Sequence, residues 1–390
     1  MSERSLSRTV SLAAALALCV LAGCRSAPGP DWVHERPKSA EEPFLVLWLK
    51  NNYFHPIGRL LALDRHLGRL LGETYEAANV LPDGSVPDSS FYTNRDISHL
   101  TPEDIYLGGT TQPGPTPPFT ITAVKTTGAA AGFFGNDATG AKFLFKLDLP
   151  GWPELTTGAE VVASRLLWAL GYNVPEMYVV TIEGTGDARF DGKRAMVSRF
   201  LPGEIVGPFK YFGVSERREV RALKLAQGWI NNVDCTDFNT LITWHAEEGV
   251  ARYWLLDFSS ALGASDRGPK RPRQGWEYTW DVFEQISDLF TLGLDREPYD
   301  RDAQPFSPAV GLFDDNYDPW RWKPLMPNMA FWEMTGSDAR WLAEKIAAFT
   351  PEQLGAAVAA GQYSRAADRD YLLQTLLRRQ AIICRTFRLD

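Results

Sequence analysis

The spacing of apolar positions changes along the chain and predicts a strand-rich part followed by a helical part. Between 119 and 203 short apolar or alternating runs indicate strands around a single helix at about 158–170. That helix is expected to end at Gly171, with Pro175 shortly after it. The predicted strands are 119–125, 141–148, 177–183 and 194–200.

From 204 to 390 the apolar residues recur mainly at helical spacing, and one predicted hairpin, at 239–257, interrupts this pattern. Thr350 is a good N-cap residue and Pro351 fits the first helical position after it. Together the two patterns predict an α+β fold with a small strand-rich lobe before a larger helical one. The predicted helices of this second part are 217–231, 279–292, 337–349, 351–360 and 368–387.

Residues 44–118 fit neither pattern and are expected to form an accessory segment. A short apolar run at 44–49 precedes apolar residues at helical spacing across 55–71. The stretch 108–118 is rich in Gly, Pro and Thr, which is typical of a boundary.

The first residues have the form of an export signal. Arg4 and Arg8 precede an apolar run at 10–21, which is too short to span a membrane. Leu-Ala-Gly then leads directly into Cys24, and this motif resembles the lipobox of bacterial lipoproteins. The resemblance implies cleavage of residues 1–23, lipidation of Cys24 and an exported protein anchored to the bacterial cell envelope. A plain secretory signal with an incidental cysteine stays open as the alternative.

Residues 24–43 are rich in Pro, Ser, Ala and charge, so we expect a flexible tether. No later stretch is apolar enough to cross a membrane, and the body is expected to be anchored rather than spanning. The net charge of −8 argues against a nucleic-acid partner. Cys235 and Cys384 could pair or remain thiols.

The segment 231–263 carries the most specific chemistry. If the hairpin turns near Glu248, opposed residue numbers sum to about 496 and Asn239 lies opposite Asp257. An amide oxygen and a carboxylate then meet at the open end of the hairpin, where Mg²⁺ could bind with phosphate and water as its other ligands. Asp234 lies on the loop that enters the hairpin and could reach the same space.

Asp234-x-x-x-x-Asn239, a hairpin, and then Asp257-Phe-Ser resemble the catalytic loop and DFG segment of protein-kinase-like enzymes. The resemblance implies that Asp234 orients the accepting hydroxyl or takes its proton, while Asn239 and Asp257 hold magnesium. Asn-Val stands where His-Arg usually precedes the catalytic Asp, and Ser259 replaces the DFG glycine. These departures are similar to the atypical HipA-like, lipid-kinase-like and secretory-pathway branches, which implies a two-lobed kinase-like fold.

Upstream residues fit the same resemblance. Lys146 lies in a predicted strand and Glu160 near the start of the helix, which implies a lysine on the nucleotide phosphates that the glutamate holds in place. The stretch 160–175 also resembles the helix and LG-x-x-VP segment of HipA-like proteins. Two alternatives stay open: Thr157-x-x-Glu160 also reads as a capping box, and Lys142 is on the same strand face as Lys146.

Nucleotide contacts are expected at two further places. Gly128, Gly132 and Gly135 form a glycine-rich turn whose N–H groups could cover phosphate oxygens, unless it is only a turn. Met196 opens the stretch 196–204, which the resemblance implies is the strand and hinge that contact adenine.

The resulting expectation is an ATP- and Mg²⁺-dependent phosphotransferase, exported and lipid-anchored, that acts on an acceptor the sequence does not identify. Transfer of the AMP moiety is not separated from phosphoryl transfer by these residues. The alternative is a catalytically inactive kinase-fold scaffold or binding lipoprotein, since cells keep little ATP outside the cytoplasmic membrane.

Overall fold

The computed structural model describes residues 32–39, 41–110, 114–281, 297–299 and 301–389. The expected export signal, Cys24 and most of the helix predicted at 279–292 lie outside these residues. Within the described ranges no helix combines the length and the apolar character needed to cross a membrane.

The N-terminal segment folds into short helices: α1 (Phe44–Leu49), α2 (His55–Leu60), α3 (Leu63–Leu70) and α4 (Pro102–Leu107). The single helix predicted across 55–71 is broken, because Ala62 N–H bonds to Arg59 O, three residues back, and the α ladder stops. Thr101 caps α4 in a capping box with Asp104. The segment is part of the main core, in which Tyr92 and Ile105 are fully buried.

The expected tether is not free throughout. Residues 32–39 and 41–43 of it are described, and Val33 N–H donates to Ser90 Oγ (2.8 Å). Ala251 N–H in turn donates to Val33 O (2.8 Å). These bonds hold the segment around Val33 against Ser90 and Ala251. The composition predicted a flexible tether because it does not reveal these hydrogen bonds.

The first lobe contains one antiparallel sheet with strand order β1-β2-β3-β5-β4. Four of its strands are those that the sequence predicts, with ends shifted by a few residues. The helix α5 (Leu155–Ala169) follows β3 and is buried along almost its whole length. The strands are β1 (Thr120–Val124), β2 (Gly132–Asn136), β3 (Lys142–Leu147), β4 (Met177–Thr181) and β5 (Arg194–Arg199).

The prediction of a glycine-rich turn over 128–135 is wrong for most of its length, because Gly132 and Gly135 lie in β2. Gly132 is paired with Lys146, and a Cβ there would overlap the carbonyl oxygen of Phe145. Gly135 has the same constraint against Thr120 O, at 2.6 Å. Of the three glycines only Gly128, with φ of +78°, lies in the β1–β2 loop. Close backbone approach therefore explains the other two.

The second lobe is mainly helical, and its β6-β7-β8 sheet faces the first lobe across the cleft described below. Thr350 caps its helix with Pro351 at the first position, as predicted. The elements are β6 (Glu204–Gly207), α6 (Arg218–Trp229), β7 (Thr240–His245), β8 (Val250–Leu255), β9 (Ala264–Ser265), β10 (Gly268–Pro269), α7 (Met329–Trp332), α8 (Gly336–Ala347), α9 (Pro351–Ala360) and α10 (Ala366–Phe387).

The hairpin register differs by one residue from the prediction. Thr240 lies opposite Leu255, so that opposed numbers sum to 495. Asn239 therefore faces Leu256, whose N–H donates to Asn239 O (2.9 Å), and not Asp257. Asp257 instead leaves the strand with a φ of +53°. The left-handed backbone at Asp257 changes the direction of its side chain, and strand alternation does not predict that direction.

The predicted α+β class is confirmed: an antiparallel strand-rich lobe with one helix precedes a mainly helical lobe. This architecture is consistent with a two-lobed kinase-like fold. Cys235 and Cys384 are not joined in a disulfide.

Gly132→Ala tests the close contact of β2 with β3. We expect a loss of about 1–3 kcal/mol in the free energy of unfolding, because the added methyl group forces the strands apart. Gly336→Ala is the matched control, since a Cβ at that helical position meets nothing within 4 Å. Urea unfolding of both variants gives the comparison, and an unchanged midpoint for Gly132→Ala would contradict the strand pairing.

Candidate functional site

Three charged side chains from separate elements meet between the lobes. The Lys146 ammonium on β3 lies 3.1 Å from both carboxylate oxygens of Glu160 on α5. It also lies 2.9 Å from Oδ1 of Asp257, beyond the end of β8. Lys146 and Glu160 are 6% and 1% exposed, while the Asp257 side chain is 39% exposed. The centre is therefore buried on the first-lobe side and open on the side of Asp257.

Strand alternation places Lys146 in the cleft. Phe143 and Phe145 bury their rings in the outer core of the first lobe, so that Leu144 and Lys146 face the other way. Lys142 shares that face but is exposed at the strand end. This removes Lys142 as the alternative buried lysine.

Asp148 positions the helix that carries Glu160. Its Oδ1 accepts the N–H groups of Thr156 (3.0 Å) and Thr157 (2.9 Å), and its Oδ2 accepts from Glu154 N–H (2.8 Å). These bonds satisfy the free donors of the α5 N-terminus. The alternative capping box between Thr157 and Glu160 is wrong, because Asp148 holds Thr157 and Lys146 holds Glu160.

The three charges shift each other's protonation. Burial raises the pKa of Glu160 to about 7 against the opposing pull of Lys146, and the negative Asp257 adds to the rise. Burial alone would also raise the pKa of Asp257, but Lys146 outweighs it and lowers that pKa to about 2. The two carboxylates together raise the pKa of Lys146 above its usual value despite burial. Lys146 stays an ammonium ion and Asp257 a carboxylate at neutral pH.

Asp234 and Asn239 lie on the loop before β7. The Asn239 amide donates to the backbone oxygen of Asp234 (2.6 Å), which fixes the loop and leaves the amide oxygen of Asn239 as its other polar atom. Burial and the charge of Asp257 raise the pKa of Asp234 to about 7. Asp234 is thus near the point at which it could accept a proton at neutral pH.

A cavity of about 280 Å³ joins these groups to an apolar space. Lys146, Glu160, Asn239 and Asp257 line its polar end. The rest is mostly apolar, as in pockets that hold a flat ring beside a few polar groups. Met196, paired with Lys146 across β3 and β5, also lines it. Other lining residues are Leu144, Met177, Phe200, Leu201, Leu241 and Leu256.

The donor set fits a magnesium ion bound together with a nucleotide. Asp257 Oδ1 accepts from Ser259 and Lys146, which orients the carboxylate, and the side chain is partly exposed to the cavity. Asn239 lines the same cavity, and its amide oxygen is the atom that would bind the ion. In the described part of the chain no cluster of three or more His, Cys, Asp or Glu side chains could hold a metal alone. Two protein oxygens with phosphate and water suit Mg²⁺.

The sequence interpretation missed three residues around this centre. Asp148 has the same signal that singled out Asp257, an acid directly after an apolar strand. Lys125, in the β1–β2 loop, donates to Ala130 O (3.0 Å) close to Gly128, and partial burial and the charge of Lys146 lower its pKa.

The third missed residue is Lys270, which is buried beyond the Asp257 segment. Its ammonium donates to the carbonyl oxygens of Ser260 (2.6 Å), Leu262 (2.9 Å) and Ala264 (2.7 Å). These bonds fix the backbone that follows Asp257-Phe258. No local sequence signal marks Lys270, because its three partners are brought together by the loop.

A comparison with solved structures finds the crystal structure of a Helicobacter pylori proinflammatory kinase, CtkA, at 12% identity and a TM-score of 0.41. The match covers 70% of this chain and 98% of that chain. No protein-family model matches the sequence, and neither does a curated protein.

Lys146→Met tests the buried ion pair. We expect a loss of about 3–5 kcal/mol in the free energy of unfolding at pH 8, because the Glu160 carboxylate stays buried without its ammonium partner. Because the pKa of Glu160 is raised in the folded state, the protonated side chain stabilises the folded protein at low pH. That contribution to the free energy of unfolding is lost as pH rises through about 7. The deficit should therefore be smaller at pH 5 than at pH 8.

Urea unfolding at both pH values measures these effects. Adding Glu160→Gln should restore much of the stability at pH 8, whereas the exposed-site control Lys142→Met should change it little. An equal loss in Lys146→Met at both pH values would contradict the account.

Proposed function

We propose that this protein is an ATP- and Mg²⁺-dependent phosphotransferase. The observation that carries the proposal is the Lys146 ammonium between Glu160 and Asp257, at the polar end of a cavity that Asn239 also lines. A fixed positive charge next to two candidate cation ligands is what phosphoryl transfer requires, since that chemistry depends on positioning and charge neutralisation.

The nucleotide would lie with its base among the apolar residues and its phosphates at Lys146. Met196 and Leu201 line the base end, and Lys146 would neutralise phosphate charge. Gly128 in the β1–β2 loop could leave backbone N–H groups near the phosphates, with Lys125 beside it. Glu160 would keep the lysine in place when Asp257 moves to other partners.

Asn239 and Asp257 would hold the magnesium ion, which supplies charge neutralisation on the phosphates when bound. Ser259 orients Asp257 through a hydrogen bond from its hydroxyl (2.7 Å). The protein contribution is a pair of oxygens that are fixed in place before the nucleotide arrives.

Asp234 would act on the acceptor. In the transfer the acceptor hydroxyl oxygen forms a bond to the γ-phosphorus, and the bond from that phosphorus to the leaving ADP oxygen breaks. The hydroxyl proton passes to Asp234, whose pKa of about 7 supports this role. The acceptor would approach from the side of the loop that contains Asp234.

We also propose that the protein is exported and anchored through Cys24. Support comes from the sequence motif and from the turn and helix at 61–70, where Leu61, Leu63 and Leu70 are 71%, 72% and 83% exposed. Neighbouring exposed leucines mark an interaction surface, and a membrane is one partner that would cover it. The acceptor would then be a component of the cell envelope.

Turnover is tested with Asp257→Ala and Asp234→Asn. We expect Asp257→Ala to abolish transfer of the ATP γ-phosphate because it removes a magnesium ligand. We expect Asp234→Asn to lower it by about 100- to 10,000-fold while nucleotide binding remains. Release of labelled phosphate with and without Mg²⁺ measures activity, and thermal denaturation with Mg-ATP measures binding.

Lys142→Met, an exposed lysine on the same strand as Lys146, is the control and should keep both properties. Unchanged activity in Asp257→Ala would rule out the proposal. Stabilisation by Mg-ATP without any turnover would favour a nucleotide-binding scaffold instead.

Cys24→Ser tests the anchor. We expect the variant to lose incorporation of labelled fatty acid and to leave the membrane fraction, because the thioether link cannot form. The wild-type chain and Cys384→Ser serve as controls, and each should remain membrane-bound. A Cys24→Ser protein that stays lipid-labelled would contradict the proposed site.

A further inference from the structure

A second cavity, of about 230 Å³, lies in the second lobe and shares no lining residue with the Lys146 cleft. Its wall is largely aromatic: Trp276, Tyr278, Trp320, Trp322, Phe331 and Trp332. Aromatic rings usually bury their faces against other side chains. Trp322 and Phe331 belong to the main core, at 3% exposure each. The other four rings are only partly buried beside an open space, which indicates a surface for a ligand.

Hydrogen bonds hold the rings in place. Trp332 Nε1 donates to the Tyr278 hydroxyl (2.6 Å), and Trp322 Nε1 donates to Asn231 Oδ1 (3.0 Å). Trp320 is 43% exposed, and its ring centroid lies 5.5 Å from that of Phe387. A wall with fixed rings loses little conformational entropy when a ligand binds.

The ring pairs of the wall are tilted against each other rather than stacked in parallel. Tyr278 and Trp332 meet at 66°, and Trp322 and Phe331 meet at 46°. Neither pair is parallel, so that neither forms a sandwich for a flat nucleobase. The wall instead suits a puckered ring that presents different faces to different aromatic groups.

Two rings of the wall already contact a cation, although the Glu297 carboxylate also lines the cavity and pairs with Arg321 (3.3 Å). Arg321 lies 5.7 Å from the centroid of the Trp276 ring, and Lys323 lies 5.4 Å from that of Tyr278. Those rings already have a cation partner, which is the interaction that a quaternary ammonium ligand would need.

Lys224 adds a further amino group to the same wall. It donates to Trp320 O (2.8 Å), and no ion pair joins it to a carboxylate in the described ranges. Burial lowers the pKa of Lys224 to about 8; the charges of Lys323 and Arg59 add to this fall and Asp318 opposes it. The described lining has three cationic side chains, Lys224, Arg321 and Lys323, and one carboxylate, Glu297, so that a neutral or acidic ligand is favoured.

We propose that this cavity, lined by Trp276, Tyr278, Trp320 and Trp332, binds a carbohydrate. A sugar ring has C–H faces that pack on aromatic rings and hydroxyl groups at its edge. Lys224 and Arg321 can donate to those hydroxyls. Asn328 also lines the cavity, and its side-chain Nδ2 has no hydrogen-bond partner within the described residues.

Calorimetric titration of the full-length protein tests the assignment, with chitotetraose as a neutral probe, tetragalacturonate as an acidic probe and choline as a cationic probe. We expect saturable binding of at least one oligosaccharide and none of choline. Trp320→Ala should weaken that binding by about tenfold or more, since it removes an exposed face of the wall. Trp280→Ala, at 46% exposure and outside the cavity wall, is the matched control and should bind within about twofold of wild type.

A measurement on unaltered protein keeps the test independent of folding of the variants. A bound sugar should protect tryptophan from acrylamide quenching in the wild type and in Trp280→Ala. Absence of binding by both oligosaccharides would overturn the proposal, as would equal binding by Trp320→Ala or binding of choline alone. Nucleotide turnover does not enter this test, so that failure here leaves the phosphotransferase proposal unaffected.

Discussion

A single buried ammonium shared by two carboxylates is the interaction on which the cleft depends. Lys146 is almost completely buried, and a buried cation is stable only beside groups of opposite charge. Glu160 supplies one partner from within the first lobe, and Asp257 supplies the other from the chain beyond β8. The ion pair to Asp257 therefore links the two lobes, and a change in their separation changes the surroundings of Lys146.

Backbone constraints on both sides hold this centre. On the first-lobe side Asp148 caps α5 and fixes the turn from which Glu160 projects. On the other side the left-handed φ of Asp257 and the Ser259 hydroxyl aim its carboxylate at Lys146. Lys270 then fixes the backbone after Phe258 through three carbonyl oxygens. Since each element is held locally, the charged groups meet without large side-chain rearrangement.

A hydrogen bond connects the aromatic cavity to the loop of Asp234, although the cavity shares no lining residue with the cleft. Leu325 N–H donates to Val233 O (2.7 Å), which attaches the chain segment between Trp322 and Trp332 to the residue before Asp234. A ligand bound to the aromatic wall would thus contact a segment that is bonded to the candidate catalytic loop. This places the proposed ligand cavity and the candidate catalytic loop in one connected part of the second lobe.

The sequence by itself determined the residue types of the charged centre, their order and most of the elements that carry them. Alternation predicted four of the five strands, and the motif around Thr350 and Pro351 fixed the start of α9, because these signals act within a few residues. The strand β2 was not predicted, because its glycines allow close approach to β3 and interrupt the alternation of apolar side chains. The hairpin register differs by one residue from the prediction because the turn is centred between Glu247 and Glu248. The left-handed φ of Asp257 is a separate feature that strand counting does not reveal. Tertiary structure alone decided that Asp148 caps α5, that Lys270 fixes its loop and that distant aromatic residues enclose one cavity. Those contacts join positions far apart in the chain, and their energies depend on distance and burial that only the folded chain defines.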